Sequence, residues 1–541
     1  MTSPAGAQER DAVLLRPRPP WPAAAVVGVA AGAFALGVAE VVAGVVSPSS
    51  APLVALGDAF VDRVPPGLKD TAISLFGTHD KQVLLTGALL VALLLSALAG
   101  VLSRDRGRAG TWVVLGLGAL AAWAAVTRPD ATVLSALPSV LGAIAGMVAL
   151  QRVSARLDPV PIFRPGDEPV EPMVPLDPAD APPLPPTRRA LLGAGWLVLG
   201  GVVGAVAGRL LGTRLRDADA SRSQVAGRLP AAARTPAPIP AGAEVGVAGV
   251  VPFRVPNKDF YRIDTALLVP RLTAEEWRLR IHGMVAREVS VTFDELLRGG
   301  LVERDVTLAC VSNEVGGDLV GNARWLGLPI APLLARAGPQ PGSDMVLSTS
   351  ADGFTCGTPL AALTDGRDAL LAIAMNGEPL PVEHGFPVRM VVPGLYGYVS
   401  ATKWVVDLEL TRFDRVEAYW TPRGWAAQAP VKTASRIDVP RDGAQVRAGR
   451  VAVAGVAWAQ HRGIRAVEVQ VDGGPWQAAR LAADVSADAW RQWVLDWDAP
   501  RGRHEVRVRA TDGTGAVQTG DLAPPAPDGA TGWHTIEVHV S

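Results

Sequence analysis

Hydrophobic and polar positions divide the chain into three textures. In the first, five stretches run almost free of charge, over about 22–47, 82–103, 110–127, 131–151 and 190–211. A hydrocarbon core of ~30 Å takes roughly 20 residues of helix to cross, so each reads as a membrane span, with buried soluble helices as the alternative. Their content is mainly Ala, Gly, Val and Leu, with Glu40 near the outer end of the first. That composition predicts helices packed through small side chains rather than an ion or proton path. In the second texture, from 256 to about 420, strand-like runs (Trp277–Ile281, Val306–Ala309, Met345–Ser348, Val388–Val392, Trp404–Leu410) alternate with helix-like ones (Phe293–Arg298, Ile330–Ala337). Gly and Pro punctuate both, which predicts a mixed α+β domain and not a βαβ series. In the third, from about 431, apolar residues alternate with period two. Turns at Asp472-Gly473 and Asp512-Gly513 bound these runs, and Trp458, Trp476, Trp490, Trp493 and Trp497 are available as core. This predicts an Ig-like β-sandwich.

The expected organisation is a helical membrane anchor over 1–216, a linker over 217–255, the α+β domain over 256–430 and the sandwich over 431–541. Within the anchor, 158–187 is crowded with proline and reads as a loose part of a loop spanning 152–189. The linker is rich in Ala, Pro and Gly and is expected as a tether. Basic residues fix the orientation. Arg10, Arg16 and Arg18 precede the first span, Arg104, Arg106 and Arg108 separate the second and third, and Arg152, Arg156, Arg188 and Arg189 separate the fourth and fifth. All three clusters fall on one side, which should be cytoplasmic, so the chain beyond residue 212 is expected outside a bacterial cell membrane. Arg188-Arg189 before an apolar run also suits a twin-arginine export signal, although ordinary positive-inside charge accounts for the pair equally well.

Composition narrows the chemistry. The chain has 541 residues with 51 Lys+Arg against 52 Asp+Glu, a net charge of −1, which gives no electrostatic footprint for nucleic acid. Two cysteines, Cys310 and Cys356, exclude a disulfide scaffold and a four-cysteine zinc or iron-sulfur cage. None of the seven histidines lies in a span and there is no C-x-x-C-H, so no haem site is expected. No G-x-G-x-x-G follows a strand, which disfavours a dinucleotide fold.

Cys310 ends the apolar run Val306–Ala309 and precedes a glycine-rich turn. A thiolate at a strand end beside free backbone N–H groups suits a metal ligand or a nucleophile. A small buried hydrophobe, or half of a disulfide with Cys356, is the competing reading. Downstream, His384-Gly-Phe-Pro-Val-Arg389 and Ser400-Ala-Thr402-Lys403-Trp404 set cations and hydroxyls among hydrophobic residues. Arg389 and Lys403 are suited to neutralise a dianionic phosphate, with Ser400 and Thr402 as donors.

The runs Ala323-Arg-Trp325, Ala374-Met-Asn-Gly, His384 through Gly394 and Lys403-Trp404 resemble the molybdopterin domain of the sulfite oxidase family. Gly455-Val-Ala-Trp458 and the stretch from Val467 to Trp476 resemble the Ig-like dimerisation domain that follows it there. The likeness covers about 250–541. It implies a molybdenum held by the dithiolene of one pterin and by Cys310, which would be both metal ligand and catalytic residue. By matching position, His384, Arg389 and Lys403 would hold the pterin phosphate side, with Ser400 and Thr402 beside them, and Asp352 the pterin. Tyr261 and Arg262, in the run beginning at Asn257, would close the entrance, and Asn313 keeps the place of the asparagine in the family's Cys-Ala-Gly-Asn. The resemblance also implies a homodimer through 431–541, a small-molecule substrate, and a separate redox partner, a cytochrome or quinone. Where sulfite oxidases carry arginines, this chain has Glu314 and Val315 after Asn313, and Ile263 at the entrance. The sulfite pocket is therefore expected to be dismantled. Asn257 with Phe260-Tyr261 is similar to the methionine-sulfoxide reductase branch, so an S-oxide or N-oxide reductase is the first alternative. A cofactor-free, membrane-anchored Ig-like binding protein is the second.

Overall fold

The structure, a computed structural model, describes residues 20–64, 75–76, 79–106, 108–128, 131–155 and 188–541. The chain divides into two compact units, meeting in sequence between Leu215 and Arg216. The proline-crowded segment 158–187 and the basic residues Arg10, Arg16, Arg18 and Arg156 lie outside the described residues.

In the first unit the apolar stretches form α1 (Trp21–Val46), α3 (Asp80–Arg106), α4 (Ala109–Val126), α5 (Leu137–Ser154) and α6 (Arg188–Leu215), with a short α2 (Pro52–Arg63) after α1. By length and composition, five helices here are able to cross a membrane. Small residues set their packing. A side-chain carbon on Gly28 would strike the Ser96 carbonyl on α3, and one on Gly100 would strike the Ala24 carbonyl on α1. Gly37 and Gly201 bring α1 and α6 equally close. Backbones approach there because no side chain separates them.

The second unit opens with the segment expected as a loose tether, and the structure corrects that expectation. Helix α7 (Ala218–Ala226) is capped by Asp217, and Ala218 and Val225 on it are buried. The Arg222 guanidinium donates to the Pro379 and Leu380 carbonyls, the Ala233 N–H to the Leu301 carbonyl, and the Val245 N–H to the Gln492 side chain. Phe253 is 3% exposed, and its carbonyl accepts from Asn322 and Trp490. An Ala/Pro-rich chain shows no periodicity of its own, yet a few apolar anchors dock it where a finished surface supplies backbone partners.

Ten strands follow in two sheets. One sheet orders β1 (Arg278–Gly283), β2 (Val289–Thr292), β5 (Met345–Ser350), β6 (Thr355–Pro359) and β10 (Val405–Thr411) as β2-β1-β10-β5-β6, with β1 and β10 parallel. The other joins β3 (Val302–Ala309), β4 (Val320–Pro329), β7 (Leu370–Met375) and β8 (Glu378–Pro379), with β9 (Arg389–Val391) paired to β7. Every residue of β7 is buried, as a strand covered on both faces requires. Trp277, Trp325 and Trp404 fill the core, and their indole N–H groups donate to the carbonyls of Val405, Val306 and Val382. These bonds remove the cost of burying the polar end of each ring.

The C-terminal region is β-rich. Strands β11 (Ala434–Val439), β13 (Gly449–Trp458), β16 (Arg480–Leu481) and β17 (Arg491–Ala499) form one sheet. The other contains β12 (Ala444–Val446), β14 (Ile464–Val471), β15 (Gln477–Ala478), β18 (Gly502–Asp512) and β19 (His534–Val540). Asp472 and Gly473 both take positive φ, the conformation expected of a tight hairpin. The tryptophans do not all serve this core. Trp493 and Trp497 do, but Trp458 and Trp490 join the core of the α+β region, and Trp476 lies edge-on to Trp533 beneath Arg509. The two regions lock together at β3: Thr307 exchanges hydrogen bonds with Asp488, Trp490 and Gln460.

Candidate active site

Cys310 leaves the end of β3 in a tight loop. Its N–H donates to the Leu319 carbonyl at 2.9 Å and its carbonyl accepts from the Asn313 N–H at 3.1 Å. Asn313 spends its side-chain oxygen on the Leu319 N–H at 2.8 Å, so its side chain braces the loop. The Cys310 sulfur lies 3.2 Å from the Ser312 hydroxyl. Burial pushes this thiol above its ordinary range, against the pull of the Ser312 hydroxyl and the backbone N–H groups of Ser312 and Val311. Neither cysteine is in a disulfide. Cys356 is fully buried, and burial pushes it up to about 12.

Cys310 lies in the wall of a cleft enclosing about 950 Å³, part of it open to solvent. Tyr261, Asp352, His384, Arg389 and Lys403 line the same cleft, so six of the sequence-selected residues converge. Arg389 is 6% exposed; its guanidinium reaches the carbonyls of His384, Ala401 and Met390 and lies 5.1 Å over the Trp325 ring. Burial lowers it to about 10. Lys403, 8% exposed, donates to Asp264 and to the Glu383 carbonyl, both at 3.0 Å. Burial drags it down to about 8 despite Asp264. His384 is held at about 3, first by burial and then by Arg389 and Lys403, so it is neutral near pH 7. Its ring packs edge-on against Phe260, which also meets Trp325 and stacks on Tyr261.

The other selected residues have different places. Arg262 donates to Asp264 at 2.8 Å. Asn257 bonds the Met375 carbonyl and the Asn376 side chain, which braces the entrance segment. Ser400 and Thr402 are fully buried and turned inward, Ser400 to the carbonyls of Leu395 and Tyr396, Thr402 to the Ser348 hydroxyl. The Ser400 hydroxyl thus donates to backbone carbonyls, while Thr402 shares a hydrogen bond with Ser348 in which either oxygen is able to donate. Asn313, Glu314 and Val315 line a second cavity, of about 870 Å³. Ile263 is 50% exposed and lines the main cleft.

Sequence reasoning missed Asp264, Ser312, Ser350 and the ring cluster Phe354, Tyr398, Trp420 and Trp425, all of which line the cleft. Spacing gave no signal for Asp264, since its partner Lys403 is 139 residues away. Ser350 is 2% exposed, and its hydroxyl has no partner among the described residues.

These features suit a pterin-bound molybdenum. None of the hydrogen bonds of Arg389 goes to a carboxylate among the described residues, and such a buried cation calls for an anionic ligand. The partnerless Ser350 hydroxyl calls for a polar one. No cluster of three or more His, Cys, Asp or Glu suited to a metal occurs among the described residues. Cys310 therefore fits a metal whose other ligands come with the cofactor.

Comparison with known proteins agrees. The family described as oxidoreductase molybdopterin binding domain matches residues 266–420. Human mitochondrial sulfite oxidase is 31% identical over 340 residues, which is 53% of this chain and 62% of that protein. Chicken (Gallus gallus) sulfite oxidase is 30% identical over 324 residues, covering 50% of this chain and 69% of that protein. An NADH nitrate reductase of rice (Oryza sativa subsp. japonica) is 32% identical over 170 residues, 26% of this chain and 18% of its own length. The chain thus spans somewhat under two thirds of the human relative, and the family match at residues 266–420 includes Cys310. With that coverage of the chicken protein and the molybdopterin-domain match, the chain belongs to the sulfite oxidase family of molybdopterin-dependent oxidoreductases.

Proposed function

We propose that this protein is a membrane-anchored oxidoreductase whose catalytic unit faces outward and which transfers an oxygen atom on a small sulfur- or nitrogen-containing substrate other than sulfite. The observation that carries this reading is the convergence of the Cys310 thiol, the buried cations Arg389 and Lys403 and the partnerless Ser350 hydroxyl on one cleft. When bound, the cofactor supplies a metal that changes oxidation state by two electrons as the oxygen atom moves. Cys310 serves as thiolate ligand. Arg389 and Lys403 neutralise phosphate, and neutral His384 offers a hydrogen bond without adding charge. Phe260 and Tyr261 wall the entrance against water.

Anchoring rests on the five apolar helices and on the basic residues that flank them. The pterin is inserted in the cytoplasm, so a loaded domain needs a route for folded proteins, which favours reading Arg188-Arg189 as a twin-arginine signal. The β-rich C-terminal region is read as the Ig-like dimerisation domain, and the redox partner, a cytochrome or quinone, as a separate molecule. Ile263, which lines the cleft and stands where sulfite oxidases have an arginine, favours a second reading in which the same site reduces neutral S-oxides or N-oxides. Metal analysis with pterin fluorescence on detergent-purified protein tests the proposal. We expect about one molybdenum per chain in the wild type and an altered or depleted metal in Cys310→Ser; a wild type without molybdenum or pterin, from a host that makes the cofactor, overturns it.

A further inference from the structure

Two chemically distinct groups of side chains line the cleft. One comprises Arg389, Lys403 and His384, with Phe260 and Tyr261. The other is a set of aromatic rings. Trp420 lies edge-on to Trp425 at 6.1 Å, and Tyr398 meets Trp425 at 5.8 Å. Phe354 reaches the same cluster through Tyr419, 5.4 Å from it and 5.2 Å from Trp420. The two ring clusters share no ring contact among the described residues.

The Tyr398 hydroxyl donates to the Ala426 carbonyl at 2.6 Å. Arg423 lies 3.8 Å over the Tyr419 ring, donates to the Tyr419 carbonyl, and does not line the cleft. The cations that do line it, Arg389 and Lys403, are read to bind the cofactor phosphate, and each lies over another ring, Trp325 and Trp404. A bare oxyanion entering between the rings of the aromatic set would give up its water shell without gaining an opposite charge. A flat apolar group would gain ring contacts on several sides.

We infer that the ring cluster of Phe354, Tyr398, Trp420 and Trp425 recognises the organic part of the substrate, which is a neutral organosulfur compound bearing a flat apolar substituent. This rests on the proposed function, because it takes the cofactor to occupy the part of the cleft lined by Arg389, Lys403 and His384. Trp420 and Trp425 are then specificity-determining residues that hold the substituent while the sulfur atom faces the Cys310 side of the cleft.

Calorimetric titration of the detergent-solubilised full chain with methyl phenyl sulfoxide, dimethyl sulfoxide and sulfite tests this without turnover, with molybdenum and pterin measured on the same sample. We expect the aryl compound to bind about tenfold more tightly than dimethyl sulfoxide, the effect of one or two good ring contacts. Trp420→Ala and Trp425→Ala should each reduce that preference several-fold at unchanged molybdenum content, and Trp425→Phe should keep most of it. Equal affinity for the two sulfoxides in the wild type, or a preference for sulfite, overturns the inference even if the alanine variants do not fold. An aryl preference in protein lacking molybdenum sinks the cofactor reading and leaves the recognition standing, whereas molybdenum without an aryl preference does the reverse.

Discussion

Lys403 offers a direct test of whether the cleft is built for an anion. In the cofactor-free protein its ammonium is 8% exposed and burial lowers it from 10.5 to about 8, with Asp264 only partly compensating. At ~1.4 kcal/mol per pH unit, that drop means that keeping the charge buried costs about 3 kcal/mol of stability. Between pH 8 and 10.5 the unfolded chain still binds a proton that the folded chain has released, so stability rises with pH across that window. Below pH 8 the cost is present in full; above 10.5 it is gone. Lys403→Met keeps the bulk of the side chain and removes the titration, while Asp264 retains Arg262 as its partner. Chemical denaturation of cofactor-free protein in detergent, followed by tryptophan fluorescence, should show wild type gaining about 3 kcal/mol on the variant between pH 7 and 10.5. Taking the difference between the two proteins cancels the helical unit and other groups that titrate in the same range. In cofactor-loaded protein the bound phosphate should raise Lys403 again and flatten the wild-type slope, and the variant should load less pterin. Parallel pH profiles for the two cofactor-free proteins would refute the reasoning.

Three further perturbations follow from the geometry. Ser312→Ala removes a hydroxyl 3.2 Å from the Cys310 sulfur that pulls the thiol downward, so alkylation of the cofactor-free protein at pH 9 should slow several-fold; an unchanged rate would mean that this contact does not act on the thiol. Asp305 is 3% exposed and binds Arg254 at 3.0 Å and Arg324 at 2.5 Å. Asp305→Ala leaves both guanidiniums without this carboxylate and should cost about 3 kcal/mol in denaturation, the low end for a buried pair because Arg254 is a third exposed; a loss below ~1 kcal/mol would show the cluster to be solvated. Gly100→Leu forces α1 and α3 apart, since a side chain there meets the Ala24 carbonyl, and should lower the thermal midpoint of the detergent-solubilised chain without changing its molybdenum content.

The hydropathy pattern alone determined the five long apolar helices and the change from mixed α+β to period-two strands, because both signals are local and repeat along the chain. The helix Ile330–Ala337 and the turn at Asp472-Gly473 were legible for the same reason. So were Cys310, His384, Arg389 and Lys403: thiols and charges set inside apolar runs are visible one residue at a time. Pairings across long sequence distances were settled only in three dimensions. Asp264 meets Lys403 across 139 residues, and Thr307 receives Trp490 across 183. The Ala/Pro-rich segment after Arg216 looked like free tether because docking onto a finished surface leaves no period in the sequence. Ser400 and Thr402 have the right chemistry for a ligand, and the fold sets their hydroxyls against the Leu395 and Tyr396 carbonyls and the Ser348 hydroxyl. Residue type fixes what a side chain is able to donate, and only the packed fold decides which partner it faces.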